Sequence, residues 1–371
     1  MVIVAASFSS LSILYTWAFA RRAWDDRVAK VAAFSLAIYP EAVLLGSSQM
    51  REAFLITLVI AAFYCMLRYF KQHTWQNLVW ILLTLLLCIP FSPPISAFLM
   101  VLLIMQALAM GDKRIFRQRS FWLILVGLAF LAMAGIWLTW RRFAPPGISH
   151  PLALIVWWFK QSISLQARAT RLVSGWVQHV FKRIPEWAHH PFILGYGVTR
   201  PFLPAAIIDI SSAPIWRGIA IWRAVGWTAL LPFLVYALIQ ALRKPVIGRE
   251  FATSIARGLS IVVWLGIIVA ALRGGGDQWD NPRYRAMFAG LQLALAAWVW
   301  VEQRRTHDPW LKRTWVSMCL ILAWFVPWYL RRYTPLEWPV SDFFKTLGLG
   351  VISAVLYILW DWARKPFQHD D

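Results

Sequence analysis

Apolar residues run along this chain in long blocks separated by short polar gaps. The blocks fall at 2–20, 31–46, 53–70, 77–90, 95–110, 121–140, 218–242, 255–272, 284–301, 314–330 and 343–361. Most approach the ~20 residues that a helix needs to cross a hydrocarbon layer of about 30 Å. None shows the alternation of a membrane barrel strand. The pattern therefore predicts an all-α, polytopic membrane protein with about 11 transmembrane helices. Block 77–90 is short, and Pro90-Phe-Ser-Pro-Pro94 separates it from the next. That pair reads as either a full hairpin or a shallow one.

The region between blocks, 141–217, is too long for a turn. Its stretch PLALIVWWFKQSISLQARATRLVSGWVQHVFKRIPEW sets apolar residues at helical spacing, with Lys160, Arg168, Arg171, Lys182 and Arg183 among them. This predicts one or two amphipathic helices lying on a membrane surface. The Pro- and Gly-rich HHPFILGYGVTRPFLPAAIID that follows predicts an ordered loop packed on helix ends. Three parts result: N-terminal helices over 1–140, the extramembrane segment 141–217, and C-terminal helices over 218–371.

Composition fits this picture. Hydrophobic residues make up 60% of the 371, charged residues 15%, and mean hydropathy is +0.58. A soluble domain cannot hide that much apolar surface. Many of the 25 Trp stand at the ends of apolar blocks, where interfacial belts form. The net charge of +20 would suggest nucleic acid in a soluble protein, but here Lys and Arg fill the gaps between blocks, so no nucleic-acid partner is expected. Alternate gaps (21–30, 68–76, 111–120, 243–257, 302–313 and the tail) carry 20 Lys and Arg, against seven in the short gaps of the other set. By the positive-inside rule the N-terminus lies outside, and 141–217 lies outside too. An integral protein of a bacterial inner membrane is the expected setting. Cys65, Cys88 and Cys319 sit inside apolar blocks without ligand spacing, and His150, His179, His189 and His190 have no acidic or Cys partner at ligand spacing. No metal site is assigned from spacing.

Chemistry on the outer side would draw on few carboxylates. Glu41 follows Pro40 about one turn inside its helix, where an ionisable group calls for a cavity or a partner. It reads either as a site residue or as half of a structural pair with an arginine. Glu52, beside Arg51, opens the next helix, where a carboxylate suits the positive helix end; it reads as a helix-start residue or as a catalytic one.

A third place is the polar stretch RGGGDQWDNPRYR, 273–285. Asn281 suits an N-cap and Pro282 a first helical position, so a helix over 283–301 is expected. Arg283 and Arg285 then stand in a first turn that disfavours cations. Either Asp277 and Asp280 compensate them, or a bound phosphate does, cradled by both guanidinium groups. Gly274 to Gly276 form no P-loop, since no Lys-Ser/Thr follows and no strand precedes.

Several of these stretches carry a family likeness. SLSILYTWAFARRAWDDRVAKVAAFSLAIYPEAVLLGSS, SSQMREAFLI, the Pro-rich hairpin and DNPRYR opening a late helix together resemble the GT-C membrane glycosyltransferases, the class of the aminoarabinose transferase and the protein O-mannosyltransferases. The resemblance implies transfer of a sugar from a polyprenyl-phosphate donor to a lipid, glycan or protein acceptor on the outer face. By the resemblance, Glu52 would be the second acidic residue of the catalytic cleft, and Arg283, Tyr284 and Arg285 would sit near the lipid phosphate; beside them Glu41 stands as a catalytic candidate and Arg51, Asp277 and Asp280 as substrate-binding ones. Metal use varies in that class, so a divalent ion is compatible with it.

The chain departs from the class at its start. The class carries its principal acidic residue on a first outer loop, and here no Asp or Glu precedes Asp25. Residues 1–20 read as the second helix of the class. The end of that stretch, Ala18-Phe-Ala20, looks like a signal-peptidase site, but it lacks a basic n-region and Arg21-Arg22 follow it. Enzymatic activity is thus expected only where a longer chain supplies the missing carboxylate. The competing expectation is a non-catalytic polytopic protein, such as a lipid-linked-sugar transporter or a partner subunit.

Overall fold

A computed structural model describes residues 2–110, isolated positions from 122 to 141, 144–154, 156–157, 175–208, 213–243, 250–274 and 280–364. Among these the regular structure is helical throughout. The helices are α1 (Val2–Ala23), α2 (Asp26–Ile38), α3 (Pro40–Gly46), α4 (Glu52–Gln72), α5 (Trp75–Cys88), α6 (Pro93–Ala109), α7 (Gly175–Phe181), α8 (His189–Thr199), α9 (Leu203–Ile208), α10 (Pro214–Leu242), α11 (Glu250–Gly274), α12 (Asp280–Ala286), α13 (Ala289–Thr306), α14 (Trp310–Tyr333) and α15 (Phe343–Arg364). Six of them (α1, α4, α10, α11, α14, α15) are long and apolar enough to cross a membrane, and the bent pair α2–α3 makes a seventh.

The difference from about 11 spans has physical causes. Helices α5 and α6, at 14 and 17 residues, reach only about 21 and 25 Å, short of the ~30 Å layer. The two helices form a hairpin closed by Ser96 Oγ donating to the Leu85 carbonyl at 2.8 Å. The block at 284–301 is not one helix from Arg283 onward: α12 begins at Asp280, ends at Ala286, and α13 restarts at Ala289. Asn281 and Pro282 thus lie in the first turn of α12 rather than at its cap and first position. Segment 189–208, expected as a loop, forms α8 and α9. Pro191 is tolerated in the first turn of α8, where backbone N–H groups lack helical partners in any case. Most of block 121–140, together with 111–120 and 158–174 (with Lys160, Arg168 and Arg171), lies outside the described residues.

Helix α13 is the centre of the bundle. Every residue from Ala289 to Val299 is buried, and its neighbours come from both ends of the chain: α1, α2 and α4 on one side, α10 and α11 on the other. One apolar core joins them all. Between helices in lipid there is little hydrophobic drive, so close approach depends on small residues. At Gly290 an added Cβ would stand 2.7 Å from Thr16 Oγ1 and 3.1 Å from Ile60 Cβ, and at Gly197 in α8 it would stand 2.8 Å from Ala271 Cβ of α11.

Polar contacts gather at two opposite ends. At one, Arg305 donates to Asp25 at 2.6 Å, Arg243 pairs with Asp308, Lys71 donates to the Arg22 carbonyl at 2.6 Å, and Arg313 pairs with Asp361 at 2.8 Å. Burial pushes the Asp25 carboxyl up. The hydrogen bonds from the Val28 and Arg27 backbone and from Arg305, together with the Arg305 charge, outweigh it and hold the group below the usual range. These are the gaps that the sequence marks as most basic. The opposite end collects the 46–52 turn, segment 183–217, α12 and the 331–342 turn, where Arg183 pairs with Asp342 at 3.4 Å.

The bend between α2 and α3 is 59°, and the sequence dictates it. A proline disfavours the helical region for the residue before it, and Tyr39 takes φ −69°, ψ 122°. Gly226 of α10 lets the bend seat, because a Cβ there would stand 2.7 Å from Pro40 Cδ and Cγ. Gly226→Val should destabilise the fold by about 1–3 kcal/mol through overpacking. Gly218→Ala in the same helix, where nothing lies within 4 Å, should leave it unchanged or slightly firmer. Thermal unfolding of both variants in detergent checks the contrast.

Candidate functional site: two acidic residues and an arginine cluster at the less basic end

The three candidate stretches of the sequence converge in space. Helix α12 packs on α3 and on the start of α4, and α10 packs on α3. Glu41, Arg51, Glu52, Arg283 and Arg285 consequently belong to one neighbourhood, although 231 residues separate Glu52 from Arg283.

Glu52 is the first residue of α4 and is 1% exposed. Its Oε1 accepts from Arg283 Nε at 3.0 Å and from Arg51 Nε at 3.3 Å. The two arginine side chains are 29% and 34% exposed, so their guanidinium groups reach the edge of the bundle while the carboxylate stays beneath them. Two cations on one anion, set at the positive start of a helix, leave a local excess of positive charge. Such a pair suits a phosphate group, which can take charge-assisted hydrogen bonds from guanidinium. Tyr284 lies between Arg283 and Arg273, whose Cζ atoms stand 5.4 and 5.0 Å from its ring centroid. Below Glu52, Phe54 stacks on Phe91 at 4.7 Å and tilts against Phe8 at 5.3 Å, an aromatic wall joining α1, α4 and the shallow hairpin.

Glu41 has a different setting. It is 1% exposed, and its Oε1 accepts from Arg223 Nε of α10 at 2.8 Å. The arginine partner that one of the two sequence readings called for is Arg223. Arg223 stands inside the apolar block 218–242, and an ionisable residue within a predicted span is the signal that marks it.

Arg283 and Arg285 do not form one cradle. Two residues along a helix turn the side chain by about 200°, so Arg285 faces away from Glu52. It is 1% exposed, donates through Nη1 to the Arg200 carbonyl, and lies over the Trp227 ring at 3.3 Å from its centroid. The expected shared phosphate between these two arginines is replaced by two separate faces of α12. Arg283 meets Glu52 from across the fold; Asp277 and the side chain of Asp280 lie outside the described residues. His189 Nε2 sits 3.1 Å from the Phe181 carbonyl and its ring stacks on Phe181, a structural role within segment 175–199.

The GT-C resemblance admits a divalent ion. Both carboxylates of this cluster already accept from arginines, and among the described residues no three His, Cys, Asp or Glu side chains gather as a ligand set. The residues here do not fit a metal, and no step is derived through one.

Residues 1–140 match the family of dolichyl-phosphate-mannose-protein mannosyltransferases. The match includes Glu41, Arg51 and Glu52, and so one wall of the cluster; α10 and α12 lie beyond it. Over that stretch the chain is similar to a membrane glycosyltransferase family, in line with the likeness seen in the motifs. No curated protein and no solved structure matches the chain. Within this mannosyltransferase-like part, the buried pair Glu41–Arg223 ties the matched region to α10.

Removing one member of that pair strands a buried charge. Arg223→Met or Glu41→Leu alone should destabilise by about 3–5 kcal/mol, and the double variant should recover most of the loss. Unfolding midpoints of the two single variants and the double variant test this coupling.

Proposed function

We propose that this protein moves a sugar from a polyprenyl-phosphate donor to a lipid, glycan or protein acceptor at the outer face of the membrane. The observation that carries the proposal is the Arg51–Glu52–Arg283 bridge at the less basic end of the bundle. When the bond between sugar and phosphate breaks, the polyprenyl phosphate leaves with growing negative charge on its oxygens. Cations fixed beforehand at that point stabilise the transition state more than the bound donor, which is what accelerates transfer. In this reading Arg51 and Arg283 hold the phosphate and Tyr284 flanks it. Glu52 touches both arginines and sets their direction. Glu41, through Arg223, fixes α3 and the turn that delivers Arg51 and Glu52.

A second reading is a non-catalytic protein that binds the same lipid phosphate. One observation favours it: both carboxylates in the cluster already accept from guanidinium groups through Oε1, which holds each as an ion pair. A general base for the acceptor hydroxyl needs a lone pair directed at it.

The test is donor binding and sugar transfer by the full chain in lipid nanodiscs, with radiolabelled polyprenyl-phosphate-mannose as donor and membrane extract as acceptor. Arg283→Ala should weaken donor binding about 10- to 100-fold, as expected for a lost charge-assisted contact. Glu52→Gln should reduce it by a smaller factor through misdirected arginines. Binding without transfer selects the second reading. Donor binding unchanged in both variants removes the assignment of the phosphate seat.

A further inference from the structure

The face of α12 opposite Arg283 holds more positive charge than the described protein groups compensate. Arg285, Arg200 and Arg223 are 1%, 9% and 5% exposed. The single carboxylate described among them, Glu41, is taken by Arg223. Guanidinium groups stay protonated in proteins, and burying one without an anion is costly. Stacking on Trp227 offsets part of that cost for Arg285, as stacking on Tyr196 at 4.4 Å does for Arg200.

Hydrogen bonding leaves the imbalance in place. Arg285 uses Nη1 on the Arg200 carbonyl, while its Nε and Nη2 are buried with no protein acceptor. Arg200 uses Nη2 on Tyr196 Oη, and its Nε is likewise buried without one. Tyr39 is buried, and its Oη lies beside the Arg285 guanidinium. Three buried N–H-bearing atoms on two neighbouring arginines thus face a single hydroxyl oxygen. Donors that outnumber their acceptors, around an excess of charge, suit an anion with several oxygens.

We propose that Arg285, Arg200 and Tyr39 form a buried oxyanion site, separate from the Arg51–Arg283 pair, that takes a phosphate or carboxylate group. Half-exposed Tyr196 stands at its edge, toward the end of the bundle. The site does not rest on the sugar-transfer reading: it follows from the burial and pairing of these side chains alone.

The experiment is thermal unfolding of the full chain in a neutral detergent, titrated with inorganic phosphate against chloride at matched ionic strength. Wild type should gain several degrees with saturation, following the logarithmic dependence of ligand linkage. Arg285→Met should remove the larger part of the gain, leaving only what the Arg51–Arg283 pair contributes, and Arg304→Met, exposed at the opposite end of the bundle, should keep it in full. No saturable gain in wild type, or an equal gain in Arg285→Met, overturns the proposal. Should Arg285→Met fail to fold, Tyr39→Phe decides: a several-fold weaker phosphate midpoint supports the site and an unchanged midpoint overturns it. Two further arms, farnesyl phosphate and acetate, identify the source by which of them competes with phosphate. Loss of donor binding in Arg283→Ala, with the larger part of the phosphate gain kept, would separate the two sites.

Discussion

The proline that ends α2 sets up most of what is specific to this fold. It turns the chain by 59° and sends a short helix, α3, across the bundle end with a carboxylate in its first turn. A bend of this kind exposes backbone groups and a charge to the interior, and it persists only where neighbours hold it. Two contacts from α10 do so: Gly226, which leaves room for the Pro40 ring, and Arg223, which meets Glu41 at 2.8 Å. Because the pair is buried, its worth lies in geometry more than in net stability. Replaced together by apolar groups it would cost little, but singly it cannot be broken cheaply. The turn after α3 then places Arg51 and Glu52 where α12 can reach them.

Helix α12 divides the positive charge of that end. It is a seven-residue helix broken from α13 at Met287 and Phe288, and this break lets Arg283 and Arg285 be aimed independently of the long central helix. Arg283 reaches Glu52 near the surface, while Arg285 turns into the interior beside Trp227. Had the block run as one straight helix from Arg283, both side chains would have been fixed by the packing of α13. The break therefore connects local backbone to electrostatics: one arginine at the edge, one beneath it.

Much of this architecture was legible in the sequence, for a simple reason. Apolar length is a strong signal in a membrane protein, so the blocks that fall on described residues returned as helices, with 31–46 and 284–301 each returned as two. Blocks 77–90 and 95–110 returned as helices of 14 and 17 residues, and Pro90, Pro93 and Pro94 mark the turn between them. Glu41, Glu52, Arg51 and Arg283 were visible as charges in unfavourable places, but their partners were not. Arg223 and Arg200 meet this cluster through tertiary packing of α10 and of the segment after α8, and no spacing along the chain announces contacts 85 to 231 residues apart.

The same contacts sharpen the charge asymmetry of the two ends. Counting Lys and Arg by segment treats every residue as equal, but the rule concerns charges that meet water and headgroups. At the more basic end Arg21, Arg27, Lys30, Lys71, Arg304 and Lys312 are exposed. At the other, Arg200 and Arg285 are buried, and Arg51 and Arg283 share a buried carboxylate. Arginines drawn inward contribute little to the field in the surrounding water. Charge held inside a low-dielectric rim acts on a neighbouring group far more than on bulk ions, so the buried arginines of the less basic end are felt inside the bundle.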